Sequence, residues 1–250
     1  MQAAHANDVT LCLSYYENPE VLALQYERLR DLPAILKEHI RVIVVDDGTA
    51  APAHSSLPGP GAKTGPFTPA FKEKLFGVDL RLLAMDVDVR WNQDACRNLA
   101  VSQAETKWLL LTDIDHLIPA ATWRSIITQR LSWKKVYTFE RKTGPGLSVR
   151  NPHPNTWLLT RDTFEAAGGY DERFAGYYGT DGDFRDRLRR VAVIEQLPLV
   201  IHEVTPDMVS DCRTRRYERK THDDRVTIPE IKKRRGNAPT VRNRFPWHEV

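Results

Sequence analysis

Apolar residues fall along this chain in short runs, separated by segments whose apolar positions recur with helical spacing. Residues 9–13 form an apolar run that ends on Ser14, Tyr15 and Tyr16 and is predicted to be a buried strand. The β-branched run at 41–45 predicts a second strand, stopped by the turn signal Asp46, Asp47, Gly48. Runs at 80–84 and 108–111 predict a third and a fourth, the last leading into Thr112, Asp113, Ile114, Asp115 and His116. Further strands are expected at 136–139, 157–160 and 197–202. Between them, Asn18 and Pro19 open a helix whose apolar positions include Val21, Leu22, Leu24 and Leu29. Other helices are expected at 92–104 and 119–129, with shorter ones near 164–168 and 183–190. Strands alternating with helices predict an α/β fold of three layers (α/β/α) around a mainly parallel sheet. Ligands of such sheets bind beyond the carboxyl ends of the strands, where residues 14–16, 46–48 and 113–115 all fall. Residues 49–69, rich in Pro, Gly, Ala and Ser, are expected to form a surface loop.

Composition adds limits rather than a function. A chain of 250 residues with 41% hydrophobic and 28% charged residues suits one globular domain. No apolar run is long enough to span a membrane, and residues 1–8 lack the apolar stretch of a signal peptide, so a cytoplasmic location is expected. Cys12, Cys96 and Cys212 are too scattered for a disulfide framework or a zinc site and are expected to be free buried thiols. The charge is uneven. Residues 205–250 carry twelve Lys and Arg against seven Asp and Glu, whereas the whole chain is only +3. Arg213, Arg215, Arg216, Arg219, Lys220 and the run from Lys232 to Arg235 therefore suggest a solvated basic extension. Such an extension is either a charged surface or a contact with a polyanion such as nucleic acid or anionic lipid.

The densest candidate chemistry is the pair Asp113 and Asp115. Carboxylates at i and i+2, where a buried strand exits, repel each other unless a cation or donor lies between them. A divalent metal that also binds substrate phosphates meets that need. A solvated turn that holds two acids fits the spacing equally well.

A second group of motifs changes the weighting. Gly168, Gly169, Tyr170, Asp171 and Glu172 precede Phe174, Gly176, Gly179, Asp181 and Asp183. With Asp46-Asp47-Gly48, the segment Ala95-Cys96-Arg97-Asn98 and the Asp-x-Asp strand end, the chain resembles the GT-A glycosyltransferases. These include inverting family 2 and the β-1,4-galactosyltransferases, and the resemblance spans residues 9–202. It implies a metal-dependent transfer from a nucleoside-diphosphate sugar, UDP-linked, to an acceptor hydroxyl with inversion. Ser14 and Tyr15 would lie against the base and ribose, Asp46 would accept a hydrogen bond from the base, and Asp47 would hold the turn, two roles that the sequence does not separate. Arg97 and Asn98 would help to cover the nucleotide. Asp115 and His202 would bind Mn²⁺ or Mg²⁺, and Asp113 would touch the ribose or a metal-bound water. Asp181 would be the general base, and Asp183 would support a helix start. Trp157, Tyr177 and Tyr178 are candidates for stacking on sugar, and Arg90 and Trp91 for phosphate contact.

The implied organisation is a catalytic domain over 1–204, donor part 8–118 and acceptor part 119–204, followed by the basic extension 205–250. The family pattern fails at Thr180, where a glutamate is usual. That departure keeps open a non-catalytic relative that only binds sugar nucleotide. The basic extension keeps open a protein that binds nucleic acid or directs glycosylation to it.

Overall fold

The computed structural model describes residues 6–49, 77–213 and 217–250. The expected loop at 49–69 lies outside these residues except for Thr49, as do Arg215 and Arg216. In chain order the elements are β1 (Val9–Tyr15), α1 (Pro19–Arg30), α2 (Ala34–Lys37), β2 (Ile40–Asp46), β3 (Asp79–Met85), α3 (Gln93–Gln103), β4 (Trp108–Asp113) and β5 (His116–Leu117). They continue with α4 (Ala120–Thr128), β6 (Lys135–Thr143), β7 (Ser148–Arg150), β8 (Trp157–Thr160), α5 (Arg161–Ala166) and a 3₁₀ turn, Glu172–Phe174. Last come α6 (Asp181–Val191), β9 (Val193–Glu203), α7 (His222–Arg235) and β10 (Trp247–Glu249).

One sheet runs in the order β10-β3-β2-β1-β4-β8-β6-β9-β5, with β7 paired to β6. The block β3-β2-β1-β4 is wholly parallel; beyond β4 the sheet is mixed, β8 being antiparallel to both neighbours and β9 parallel to β6. β1 is buried at all seven positions and is accordingly mostly apolar, its buried Thr10 hydroxyl being satisfied by Thr106 at 2.7 Å. One sheet face packs α1, α2 and α4 through Leu22, Tyr26, Leu36, Trp123 and Ile126; the other packs α3, α5 and α6 through Cys96, Leu99, Phe164 and Leu188. These are the three layers expected.

Register sets the site. Tyr15 pairs with Asp46 and Ser14 with Asp113, so the carboxyl ends of β1, β2 and β4 finish at one edge. After β2 the chain turns sharply at Gly48, whose φ is +70°. A Cβ there would stand 2.4 Å from the Val87 carbonyl oxygen, so only glycine fits.

The basic C-terminal segment is tied to the fold at several points, while Arg234 within it stays exposed. α7 opens with a capping box between Thr221 and Asp224, and β10 adds an antiparallel strand to the free edge of β3. Arg235 bonds Asp171 at 3.0 Å and Asp183 at 2.6 Å, both carboxylates being buried. Glu172 accepts the Asn243 and Arg244 amides. Arg235 is thus committed to structure, and neutralising the whole 232–235 cluster would damage the fold before it reported on any polyanion. Arg235→Met should lower unfolding free energy by about 3 kcal/mol, measured by urea denaturation. Losing one member of a buried ion pair strands the other, and Arg173 and Arg187 retain part of the compensation.

Candidate functional site

A cavity of about 550 Å³ opens at the carboxyl ends of β1 and β4. Asp113 closes β4 and sits in a nest of donors: the Arg97 guanidinium, the Gln93 amide at 2.9 Å and His153 Nε2 at 3.4 Å. Burial pushes its carboxyl up, but Arg97, His153 and His116 outweigh that and hold it below the usual carboxylate range. Asp115 lies one turn further and lines the cavity. Its carboxylate accepts from His116 Nδ1 at 2.7 Å, while His116 Nε2 is buried with no partner. The His116 and His153 rings lie against each other, centroids 4.0 Å apart and planes tilted by 34°. Burial lowers the His116 pKa, yet Asp115, Asp113 and Glu203 overcome it and raise the net value. Burial takes His153 down to about 3 against the pull of Asp113.

Across the cavity stands Asp181, the first residue of α6, whose Oδ1 accepts from the Asn155 amide at 2.7 Å. Burial raises its pKa, opposed by Arg97 and Asn155. Beside it is Asp94 on α3, hydrogen-bonded by Thr180 Oγ1 at 3.1 Å and pushed by burial to about 7. Thr180, where the family pattern has a carboxylate, therefore delivers its hydroxyl to a carboxylate from another element. An aromatic rim formed by Tyr16, Trp91, Tyr178 and Tyr217 borders the cavity, and the Arg219 guanidinium lies 5.4 Å from the Tyr178 ring and 5.7 Å from that of Trp91.

No protein-family model and no curated protein matches this sequence. Solved structures do. A mannosyltransferase from Pyrobaculum calidifontis, in complex with GDP-Man and Mn²⁺, superposes with a TM-score of 0.58 at 15% identity, over 79% of this chain and 57% of its own. S. aureus TarS 1–349 in complex with UDP-GlcNAc gives 0.56 at 15% identity, over 79% and 58%. GalNAc-T7 with UDP, GalNAc and Mn²⁺ gives 0.58 at 9% identity, over 80% and 43%. The fold is that of the GT-A glycosyltransferases. The chain spans little more than half the length of the first two and less of the third.

Within this GT-A fold, Ser14, Asp113, Asp115 and Asp181 come together on one cavity, although they come from distant parts of the chain. Other expectations need correction. Asp47 lines the cavity and Asp46 does not: Asp46 accepts the Thr49 amide at 3.0 Å and so holds the turn. Tyr15 reaches the cavity wall but is fully buried in the core. Arg97 is 1% exposed, lies beneath the cavity and anchors Asp113, and Asn98 is occupied by Tyr170 and Glu172. His202 is not on the cavity; its neighbour Glu203 is. Successive strand residues face opposite ways, and β9 turns Glu203 toward His116 and Arg141 while His202 lies near Lys142 and Arg28. Trp157 is core rather than a stacking platform, and Arg90 bonds other protein groups.

Sequence reasoning missed His153, Asn155 and Glu203. Only Glu203 carried a signal, its place next to His202 on a strand whose facing was open. Among the described residues no three His, Cys, Asp or Glu side chains converge to share a metal ion. One or two carboxylates completed by substrate phosphates do fit, with Asp115 facing the cavity and an unpartnered His116 Nε2 close by.

Proposed function

We propose that this protein is a metal-dependent glycosyltransferase that moves a sugar from a UDP-linked donor to an acceptor hydroxyl with inversion. The observation that carries the reading is the convergence on one cavity of the Asp-x-Asp carboxylates at the end of β4 and a buried carboxylate, Asp181, at the start of α6. Mn²⁺ or Mg²⁺ would be held by Asp115 together with the donor's phosphates. When bound, the ion supplies neutralisation of the charge that develops on the departing diphosphate.

The chain's own groups then have distinct tasks. Ser14 and Asp47, at the ends of β1 and β2, face the nucleoside. Asp113, fixed by Arg97 and Gln93, offers a carboxylate already oriented toward the ribose. Arg213 and Arg219 line the cavity from the C-terminal segment and complement the negative donor. Asp181 takes the proton of the acceptor hydroxyl; its raised pKa makes it a stronger base than an exposed aspartate, and Asn155 orients it. Nucleotide sugars bound to the solved relatives motivate the donor class, and the acceptor is left as a hydroxyl compound.

A thermal-shift screen of UDP- and GDP-sugars with and without Mn²⁺ tests this reading. A ligand that binds only the folded chain raises its Tm by mass action. The expected result is a rise that needs nucleotide sugar and Mn²⁺ together. No rise with any donor, or a rise indifferent to the metal, defeats the proposal. Release of free sugar from the stabilising donor then separates an enzyme from a protein that merely binds sugar nucleotide.

A further inference from the structure

The segment between the 3₁₀ turn and α6 carries Tyr177, Tyr178 and Thr180 up to Asp181. Gly176 and Gly179 have φ of +99° and +97°, and a Cβ at either would meet nothing within 4 Å. The Tyr178 ring packs on Trp91, centroids 4.9 Å apart, and hydrogen bonds from three other parts of the chain hold the loop as well. Arg90 donates to the Gly176 carbonyl at 3.3 Å, the Tyr178 amide donates to Asp224 Oδ1 at 3.0 Å, and Thr180 Oγ1 donates to Asp94 at 3.1 Å. Asp224 is the hub. It is buried on α7, and its second oxygen accepts from the Thr221 amide at 2.8 Å and from Arg90 at 3.2 Å. Arg90 also donates to the Glu218 carbonyl at 2.9 Å. The C-terminal segment, the residues ahead of α3 and the loop leading to Asp181 are thus tied at one carboxylate.

We propose that Asp224, acting with Arg90, is a positioning residue that holds the loop carrying Asp181, so that the C-terminal segment belongs to the transfer machinery. This rests on the reading of Asp181 as the base. Ser14, Asp47, Asp113 and Asp115 stand at the ends of β1, β2 and β4, which Asp224 does not touch, and Arg219, over the Tyr178 ring, is the donor group next to the clamp, so the clamp governs turnover first and donor affinity only through Arg219. A reacting group displaced by about 1 Å costs on the order of 10²-fold in rate. Were Asp224 only a helix cap, its loss would lower stability and leave turnover per folded molecule unchanged.

Asp224→Ala, Asp224→Asn and Thr221→Ala, made in the full chain, separate the two roles. Thr221→Ala removes the other half of the capping box but leaves the Tyr178 bond in place. Asp224→Ala should lower kcat by about 10²-fold, with a much smaller change in Mn²⁺-dependent donor affinity. Asp224→Asn keeps an oxygen for the Tyr178 amide and should recover part of that loss, and Thr221→Ala should keep the parent kcat while losing stability. Hydrogen exchange of the Tyr178 amide gives a readout independent of activity: protection should vanish in Asp224→Ala and persist in Thr221→Ala. Parent-like turnover in a folded Asp224→Ala chain, or Tyr178 protection unchanged in that chain, overturns the clamp. A parent chain that transfers no sugar from any donor overturns the glycosyltransferase reading instead, and the exchange arm alone then decides whether Asp224 holds the loop.

Discussion

Asp181→Asn should lower kcat by about 10²–10⁴-fold while leaving Mn²⁺-dependent donor affinity near that of the parent. The substitution keeps the side chain's shape and one carbonyl oxygen for the Asn155 amide, which donates at 2.7 Å, but the basic oxygen is gone. A base removes the acceptor proton only in the transition state, so its loss falls on kcat. Burial raises the Asp181 pKa, with Arg97 and Asn155 pulling against it. The sign follows: the active form is the carboxylate, so kcat/KM should rise with pH through a midpoint above the ordinary carboxylate range and fall below it. That acid limb should disappear in Asp181→Asn. Initial-rate kinetics across pH, with donor affinity taken from calorimetry, make the measurement. Near-parental turnover, or an acid limb unchanged by the substitution, would remove Asp181 from the mechanism.

Asp115→Ala should abolish the Mn²⁺-dependent part of nucleotide binding and leave the fold intact. Asp115 is partly exposed on the cavity wall, and among the described residues its carboxylate accepts a side-chain hydrogen bond only from His116, at 2.7 Å, so its removal opens no core cavity. Asp113→Ala should behave differently. Asp113 holds the side chains of Arg97, Gln93 and His153, and Arg97 is buried, so losing it strands a buried guanidinium beside Asp94. That costs on the order of 3 kcal/mol of stability in addition to any loss of binding. Urea denaturation paired with metal-dependent calorimetry distinguishes the two. Equal destabilisation by both substitutions, or Mn²⁺-dependent binding that survives Asp115→Ala, contradicts the division of labour between the two carboxylates.

The layers of the fold were legible because they depend on local pattern. A strand buried on both faces is mainly apolar, as at residues 9–13, and a helix laid on the sheet must repeat its apolar positions with its own period, as α3 does through Cys96, Leu99 and Ala100. The strand-end motifs could be placed at the sheet edge for the same reason, since a parallel sheet aligns its carboxyl ends. Short elements escaped: β5 has two residues and β10 three, too few for any period to show, and both exist through pairing with distant strands.

Facing and commitment were the features that local pattern left open. Whether His202 or Glu203 turns to the cavity depends on how β9 pairs with β5 and β6, and one residue of register exchanges them. Asp46 and Asp47 pose the same question at the end of β2, where the Thr49 amide takes Asp46 for the turn. The basic cluster near the C-terminus invited a polyanion because net charge counts every Arg alike. A guanidinium's role depends instead on which carboxylates the chain brings to it, and for Arg235 these are the buried Asp171 and Asp183. Local spacing dictates secondary structure because its interactions lie within a few residues; the polar contacts that complete this site, such as Asp224 to the Tyr178 amide, join residues far apart in the chain and exist only once the sheet has closed.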